Sequence, residues 1–291
     1  MLKSKHLPPN GSEPNPLLGA QWALAASATT ALIHLTMRWV ELHPFLVVFW
    51  RNAVCLLLIM PWVVMARAWR AEPGALPRHA FRGVVNTAAM ITLVMGLTRI
   101  PFAEATALTF ASAPFVLFGS IIFLGERPGA SRWLSASLGL LGVLIVSPPG
   151  VGWLGSGGML VLLSAALFAA AFLVGKAQTR VAGNLSILFY LYAALSIFST
   201  PLAVSVWQWP DTKALALIFL MALIAIFAHY AFIAALRFAD TSYLALFDYL
   251  RLIWGAMIGV LIFNESLEPS LMVGGVLIVI AAIIPIVSRY E

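Results

Sequence analysis

The chain reads as long apolar runs separated by short polar ones. Dividing it at Gly, Pro and charged clusters leaves ten runs, near 17–37, 44–66, 79–98, 101–124, 131–149, 156–176, 184–206, 213–237, 241–263 and 269–288. About 20 apolar residues in a helix rising 1.5 Å per residue span the hydrocarbon core of a bilayer. Ten transmembrane helices are therefore predicted, and their short connections leave no room for an inserted soluble domain. Residues 1–16, MLKSKHLPPNGSEPNP, have no apolar core and read as a disordered cytoplasmic tail. The apolar run after Leu17 continues to Met37, so it reads as a spanning helix and not as a cleaved signal segment.

The pattern occurs twice. Residues 119–132 are GSIIFLGERPGASR and residues 258–271 are IGVLIFNESLEPSL. Each closes an apolar run with a Glu, passes through a turn containing Pro, and opens the next run with a Ser. Glu126 and Glu265 are 139 residues apart, and the same offset relates Ser131 to Ser270, Gly19 to Gly158, and the helix starts at Pro101 and Asp240. Such self-similarity marks an internal duplication, here with units at 17–149 and 156–288. Five helices per unit is an odd number, so the second copy enters the membrane from the opposite side. The predicted fold is all-α and integral to the membrane, with ten transmembrane helices as two inverted five-helix repeats. Inverted repeats are typical of secondary transporters, whose substrate site lies at the repeat interface near the bilayer midplane.

Charge placement gives an orientation. With the N-terminus inside, the inner segments hold Lys3, Lys5, Arg67, Arg70, Arg78, Arg127, Arg132, Lys176, Arg180, Arg237 and Arg289; the outer loops hold Arg38, Arg99 and Lys213. Eleven against three places both termini in the cytoplasm of a cell whose inner (cytoplasmic) membrane holds the chain.

Composition agrees with this pattern. Of 291 residues, 62% are hydrophobic and 10% charged, whereas soluble domains average about 45–50% apolar and 25% charged. The net charge of +6 resides in short loops, not on one face, so it does not imply nucleic acid. The single Cys55 excludes an intrachain disulfide and reads as an inert buried thiol. No HExxH zinc motif, GxSxG elbow or Gly-rich phosphate loop occurs, so no cofactor or metal is expected. An intramembrane enzyme is the rival class, and transport without ATP hydrolysis is the better reading.

The stretches EATALTFASAPFVLFGSIIFLGERPGASRWLSASLGLLGVLIV and YLALFDYLRLIWGAMIGVLIFNESLEPSLMVGGVLIVIAAI, with the helix-two run HPFLVVFWRNAVCLLLIMPW, resemble the drug/metabolite transporter (DMT) superfamily, EamA-type branch. The resemblance covers almost the whole chain from Leu17. It implies a central cavity lined largely by helices 1, 3, 4, 6, 8 and 9, with helices five and ten peripheral and often dimer-forming. Members move amino acids, nucleotide-linked compounds, vitamins or drugs. The run FDYLRLIWG is similar to members that take up larger metabolites of the S-adenosylmethionine or riboflavin type.

Ionisable groups inside spans are costly, about 2.5–3.5 kcal/mol each at the helix centre, so each is a candidate site. They are His34, Arg51, Arg82, Glu104, His229, Asp248 and Arg251. Asp248 and Arg251 are three apart on one helix face, where an ion pair can form. His229 and Asp248 flank the turn near residue 239 at matching depth, so they are expected to form a polar clamp, or a pair that exchanges a proton with the cytoplasm or binds an amino group. Arg51 is expected to pair with Glu104, to snorkel, or to steer anionic groups. His34 reads as a packed or interfacial histidine. Arg82, near the basic end of helix three, is expected to reach the interface. Asn86, Thr87, Thr109 and Ser112 are polar groups suited to a cavity or to helix–helix glue. Pro114 frees a carbonyl one turn earlier and predicts a kink. Trp50, Tyr230, Tyr249 and Trp254 are candidate walls. GLLG at 139–142 and GG at 274–275 permit close helix approach or a homodimer through helices five and ten.

The balance of Arg51 and Arg251 against Glu104 and Asp248 suits a zwitterion. The expected partners are thus a small-molecule substrate of amino-acid type, exported or exchanged, and the lipid bilayer. Uptake or exchange of a larger metabolite is the alternative within the same fold.

Overall fold

The structure is a computed structural model and describes residues 15–37, 39–70, 75–97, 99–100, 108–146, 155–263 and 269–288. Ten longer helices run through these residues: α1 (Pro16–Met37), α2 (Pro44–Met65), α3 (Leu76–Leu97), α4 (Ser112–Leu124), α5 (Ala130–Val146), α6 (Ser156–Thr179), α7 (Asn184–Ser205), α8 (Thr212–Phe238), α9 (Leu250–Phe263) and α10 (Pro269–Val287). One α-helical turn, Thr241–Leu244, and a 3₁₀ segment, Ala245–Tyr249, precede α9. No strand occurs among the described residues. By length and mean hydropathy α1, α2, α6, α7 and α8 can each cross a membrane; α4, α5 and α10 are shorter apolar helices.

Side-chain size, more than polarity, separates inside from outside. On α8 the buried residues include Ala214, Ile218, Ala222, Ala225, Ala228 and Ala231, while Leu215, Phe219, Leu223 and Phe227 are exposed. A water-soluble helix would bury the large apolar groups. In lipid, hydrophobicity gives no preference between neighbouring helices and tails, so small residues that let backbones approach define the packed face. Leu57, Ile122, Phe123 and Leu261 point outward, each mostly exposed, as hydrocarbon permits.

Helix pairing reproduces the duplication. α1 packs on α8, and the counterpart pair is α6 on α3. α4 packs on α6, mirrored by α9 on α1; α3 packs on α7, mirrored by α8 on α2. The pairs α2–α7 and α5–α10 each join a helix to its own counterpart, and both are antiparallel. Phe49, near the start of α2, meets Trp207 past the end of α7 at 5.7 Å, while the Tyr190 hydroxyl, early in α7, donates to the Trp69 carbonyl beyond α2. Ser135 of α5 donates to the Ala281 carbonyl late in α10, and Gly142 lies against Gly274 near its start. A helix antiparallel to its own copy is the signature of inverted repeats. The two halves are thus related by a pseudo-twofold axis that runs across the bundle.

A Cβ on Gly142 would lie 2.7 Å from the Gly274 carbonyl oxygen and 2.8 Å from Ile278. The small residues expected to permit a dimer are therefore used within the chain, where α5 meets α10. The two ends of the bundle differ in charge. Arg67, Arg70, Arg78, Arg127, Arg132, Lys176, Arg180 and Arg237 lie at one, and Arg99 and Lys213 at the other.

The fourth helix of each repeat is irregular. The sequence predicts helix four over 101–124, of which 101–107 lie outside the described residues; regular α4 begins only at Ser112. Pro114 has no N–H to offer the Phe110 carbonyl, which instead accepts from Ala113 N–H at 3.2 Å in a tighter turn. Helix nine, expected as one run over 241–263, is three pieces whose regular part starts at Leu250. Leu250 is the counterpart of Ala111 at the 139-residue offset. The break is a property of the duplicated unit, although the second copy has Ile253 where the first has its proline.

Candidate functional site

The two irregular segments meet. Phe110 and Tyr249 are counterparts across the 139-residue offset, and their rings stack at 6.0 Å with an interplanar angle of 24°. Residues exchanged by a twofold axis can touch each other only close to that axis. This stack therefore marks the point where the repeats join, at mid-depth of the bundle. Both rings are buried, Phe110 at 1% and Tyr249 at 0% exposure. Gly139 of α5 makes room for Tyr249, since a Cβ there would come within 2.5 Å of its ring, and the Tyr249 hydroxyl donates to the Ala136 carbonyl at 3.3 Å.

Charge is placed asymmetrically around this stack. The first repeat supplies Thr109 and Ser112, both half-buried; the second supplies Asp248 and Arg251 at the corresponding positions. Arg251 Nη2 lies 3.4 Å from Asp248 Oδ2. The same guanidinium sits 5.2 Å from the Phe110 ring centroid, within range of a cation–π contact. The expected i, i+3 ion pair is thus formed, and it reaches across to the other repeat through Phe110. Trp254 packs against the same core, and Trp22 meets the more exposed Tyr230 at 5.9 Å.

His229 and Asp248, expected to pair, have different partners. His229 Nδ1 lies 2.9 Å from the Tyr192 hydroxyl of α7, which also donates to the Ala225 carbonyl at 3.2 Å. Equal distance from a turn fixes depth along two helices but not the direction each side chain takes. His229 faces α7, while Asp248 faces Arg251. A second polar cluster follows between α2, α7 and α8. Arg51 Nη2 donates to Asn52 Oδ1 at 3.3 Å. The Cys55 thiol donates to the Ala222 carbonyl at 3.5 Å, deep in the core as expected. Glu104, expected beside Arg51, lies outside the described residues, as does the His34 side chain.

Arg82 is enclosed between helices and not exposed at the basic end. It is 5% exposed, and its Nη1 donates to Gln178 Oε1 of α6 at 2.8 Å. Gln178 Nε2 lies 3.0 Å from His79 Nδ1, and His79 stacks on Tyr190 at 4.5 Å. α3 packs antiparallel on α6, and Gly175 leaves the gap that receives the guanidinium. Sequence reasoning missed Gln178, His79, Asn52 and Tyr192. Only a helix-pairing scheme reveals which buried polar residue faces which. Asn86 is half-buried on α3, and the Thr87 hydroxyl donates within its own helix to Gly83. Thr87 also borders a small apolar cavity with Val48, Met90 and Leu195.

Comparison with known proteins agrees with this architecture. The EamA-like transporter family matches twice, over residues 17–147 and 155–287. The chain is 27% identical to the S-adenosylmethionine uptake transporter of Rickettsia prowazekii (strain Madrid E), covering 94% of each chain. It is 28% identical to the riboflavin transporter of Rhizobium johnstonii, over 92% of this chain and 90% of the relative. It is also 28% identical to the pseudopaline exporter of Pseudomonas aeruginosa (strain UCBPP-PA14), over 81% and 84% respectively. A solved crystal structure superposes with a TM-score of 0.78 at 18% identity, covering 96% of this chain and all of the other, which supports the fold. The chain belongs to the EamA-like transporter family of the drug/metabolite transporter superfamily and is a multi-pass membrane transporter, not an enzyme.

Proposed function

We propose that this protein is a secondary transporter of the inner membrane that exports or exchanges small amino-acid-type metabolites by alternating access of its two repeats. Both termini and the basic end of the bundle face the cytoplasm in this reading, which rests on the Lys/Arg asymmetry. The observation that carries the substrate class is the Asp248–Arg251 pair beside the Phe110–Tyr249 stack at the repeat axis. Opposite charges 3.4 Å apart present one group to a substrate ammonium and the other to a carboxylate. A free amino acid end can exchange with that internal pair at little electrostatic cost, because the net charge of the site is unchanged.

A second reading is uptake or exchange of a larger, ring-bearing metabolite. The relatives named for S-adenosylmethionine and riboflavin favour it, as does the pair of buried rings, which can part to sandwich a planar group. Counterflow in proteoliposomes against labelled amino acids, S-adenosylmethionine and riboflavin separates the two. Accumulation of amino acids supports the first reading, and accumulation of the ring-bearing compounds alone supports the second. Counterflow of none of them rejects both.

A further inference from the structure

The duplicated Glu that first betrays the repeat has no role in the site described so far. In the first repeat α4 ends at Gly125, whose φ of +67° is the left-handed conformation glycine adopts without strain. The next residue, Glu126, then donates its N–H to the Ser120 carbonyl at 3.0 Å, closing the helix end. This turn aims the Glu126 side chain away from its own repeat. Glu126 Oε1 accepts from Thr241 N–H at 2.8 Å, and Oε2 accepts from Ser242 N–H at 3.0 Å and from the Ser242 hydroxyl at 2.6 Å. Those are amides at the start of the helical turn leading to α9, the place where a carboxylate is most favourable.

The clasp has further strands. Arg132, at the start of α5, donates to the Ser242 hydroxyl and to Asp240 Oδ2, the latter at 2.7 Å. Its Nη1 is also 4.0 Å from Glu126 Oε2. Lys176, from α6, donates to the Leu236 and Ala239 carbonyls that end α8. The α8–α9 turn is thereby gripped at its last carbonyls and at its first amides. The grip lies at the basic end, and a short way along the same chain Asp248 and Tyr249 are delivered to the axis.

We propose that Glu126 is a positioning residue of the transport cycle. By capping Thr241 and Ser242 it locks the base of α9 against the opposite repeat and holds the basic end of the bundle closed, and its release lets α9 swing and opens that end. The proposal rests on the alternating-access reading above, but its test needs no substrate, so the two can fail separately.

The test uses the full chain in vesicles, with Cys55→Ala removing the native thiol. Ala245→Cys places an inner reporter just beyond the clasp, at a site 2% exposed. Ala214→Cys, at a site 6% exposed, is an outer reporter on the opposite end. A membrane-impermeant maleimide is applied from the face that carries Arg127 and Arg180, and separately from the other face. Glu126→Gln keeps the shape and removes the charge and one acceptor. It is expected to raise labelling of the inner reporter from the Arg127 face about tenfold or more, with labelling of the outer reporter unchanged or reduced. Ser242→Ala, a milder change, is expected to raise inner-reporter labelling about threefold. Unchanged labelling of the inner reporter in both variants overturns the proposal. So does an equal rise at both reporters, which signifies general loosening.

Discussion

Asp248→Asn is the most informative single change at the repeat axis. It preserves shape and removes the charge that faces Arg251 at 3.4 Å. At an effective dielectric of about 20, two unit charges at that distance attract by about 5 kcal/mol. The Arg251 and Asp248 side chains are 22% and 36% exposed. Screening, and the loss of solvation on bringing the two charges together, reduce the net coupling to about 1–2 kcal/mol. That corresponds to about a 5–30-fold effect. The Phe110 ring still holds the guanidinium, so the variant is expected to remain folded and monodisperse in detergent. Counterflow of the best substrate should fall about 5–30-fold in Asp248→Asn and similarly in Arg251→Met. In the double variant the pair is already lost, so its defect should be no larger than that of either single change. A double-mutant cycle then returns about 1–2 kcal/mol as a coupling energy, within the range of interacting neighbours. If Asp248→Asn transports normally, the pair is not part of the substrate path; losses that simply multiply mean that the two side chains act independently and overturn the coupling assigned to the pair.

Two further outcomes follow from the packing. Gly142→Val forces a side chain against the Gly274 carbonyl and should destabilise the α5–α10 contact by about 1–3 kcal/mol, seen as a lower melting temperature in detergent; an unchanged melting temperature contradicts the intrachain role given to these glycines. His229→Ala and Asp248→Asn should be energetically additive to within about 0.5 kcal/mol in the transport assay, because His229 is held by Tyr192 and Asp248 by Arg251. A coupling above that value would restore the pairing expected from depth alone.

The sequence shows the ten spans, the duplication and the opposed senses of its halves, because each rests on periodicity along the chain. It also shows the α4 irregularity, since Pro114 has no N–H to donate to the Phe110 carbonyl. The matching irregularity before α9 has no proline behind it. Just before it Glu126 and Arg132 of the opposite repeat grip Asp240, Thr241 and Ser242, contacts that local propensity does not encode. Direction around a helix is likewise hidden when every face is apolar. For Arg82 and His229 the chain gives a position along the helix but not the neighbour, since only the α3–α6 and α7–α8 contacts fix where each points. Tyr249 and Phe110 are visible as counterparts once the offset of 139 residues is known. Their contact follows from the position of the axis, which no one-dimensional pattern carries.

Inverted repeats put equivalent positions of the two halves on opposite faces of the membrane. Glu41 and Arg180 are such a pair, as are Arg70 and Trp209, and all four are exposed. With Cys55 replaced, the single-cysteine variants Glu41→Cys, Arg70→Cys, Arg180→Cys and Trp209→Cys can be labelled with an impermeant maleimide in right-side-out and inside-out vesicles. Glu41→Cys and Trp209→Cys are expected to react from one face only, and Arg70→Cys and Arg180→Cys from the other only. Labelling of Glu41→Cys and Arg180→Cys from the same face contradicts the inverted arrangement.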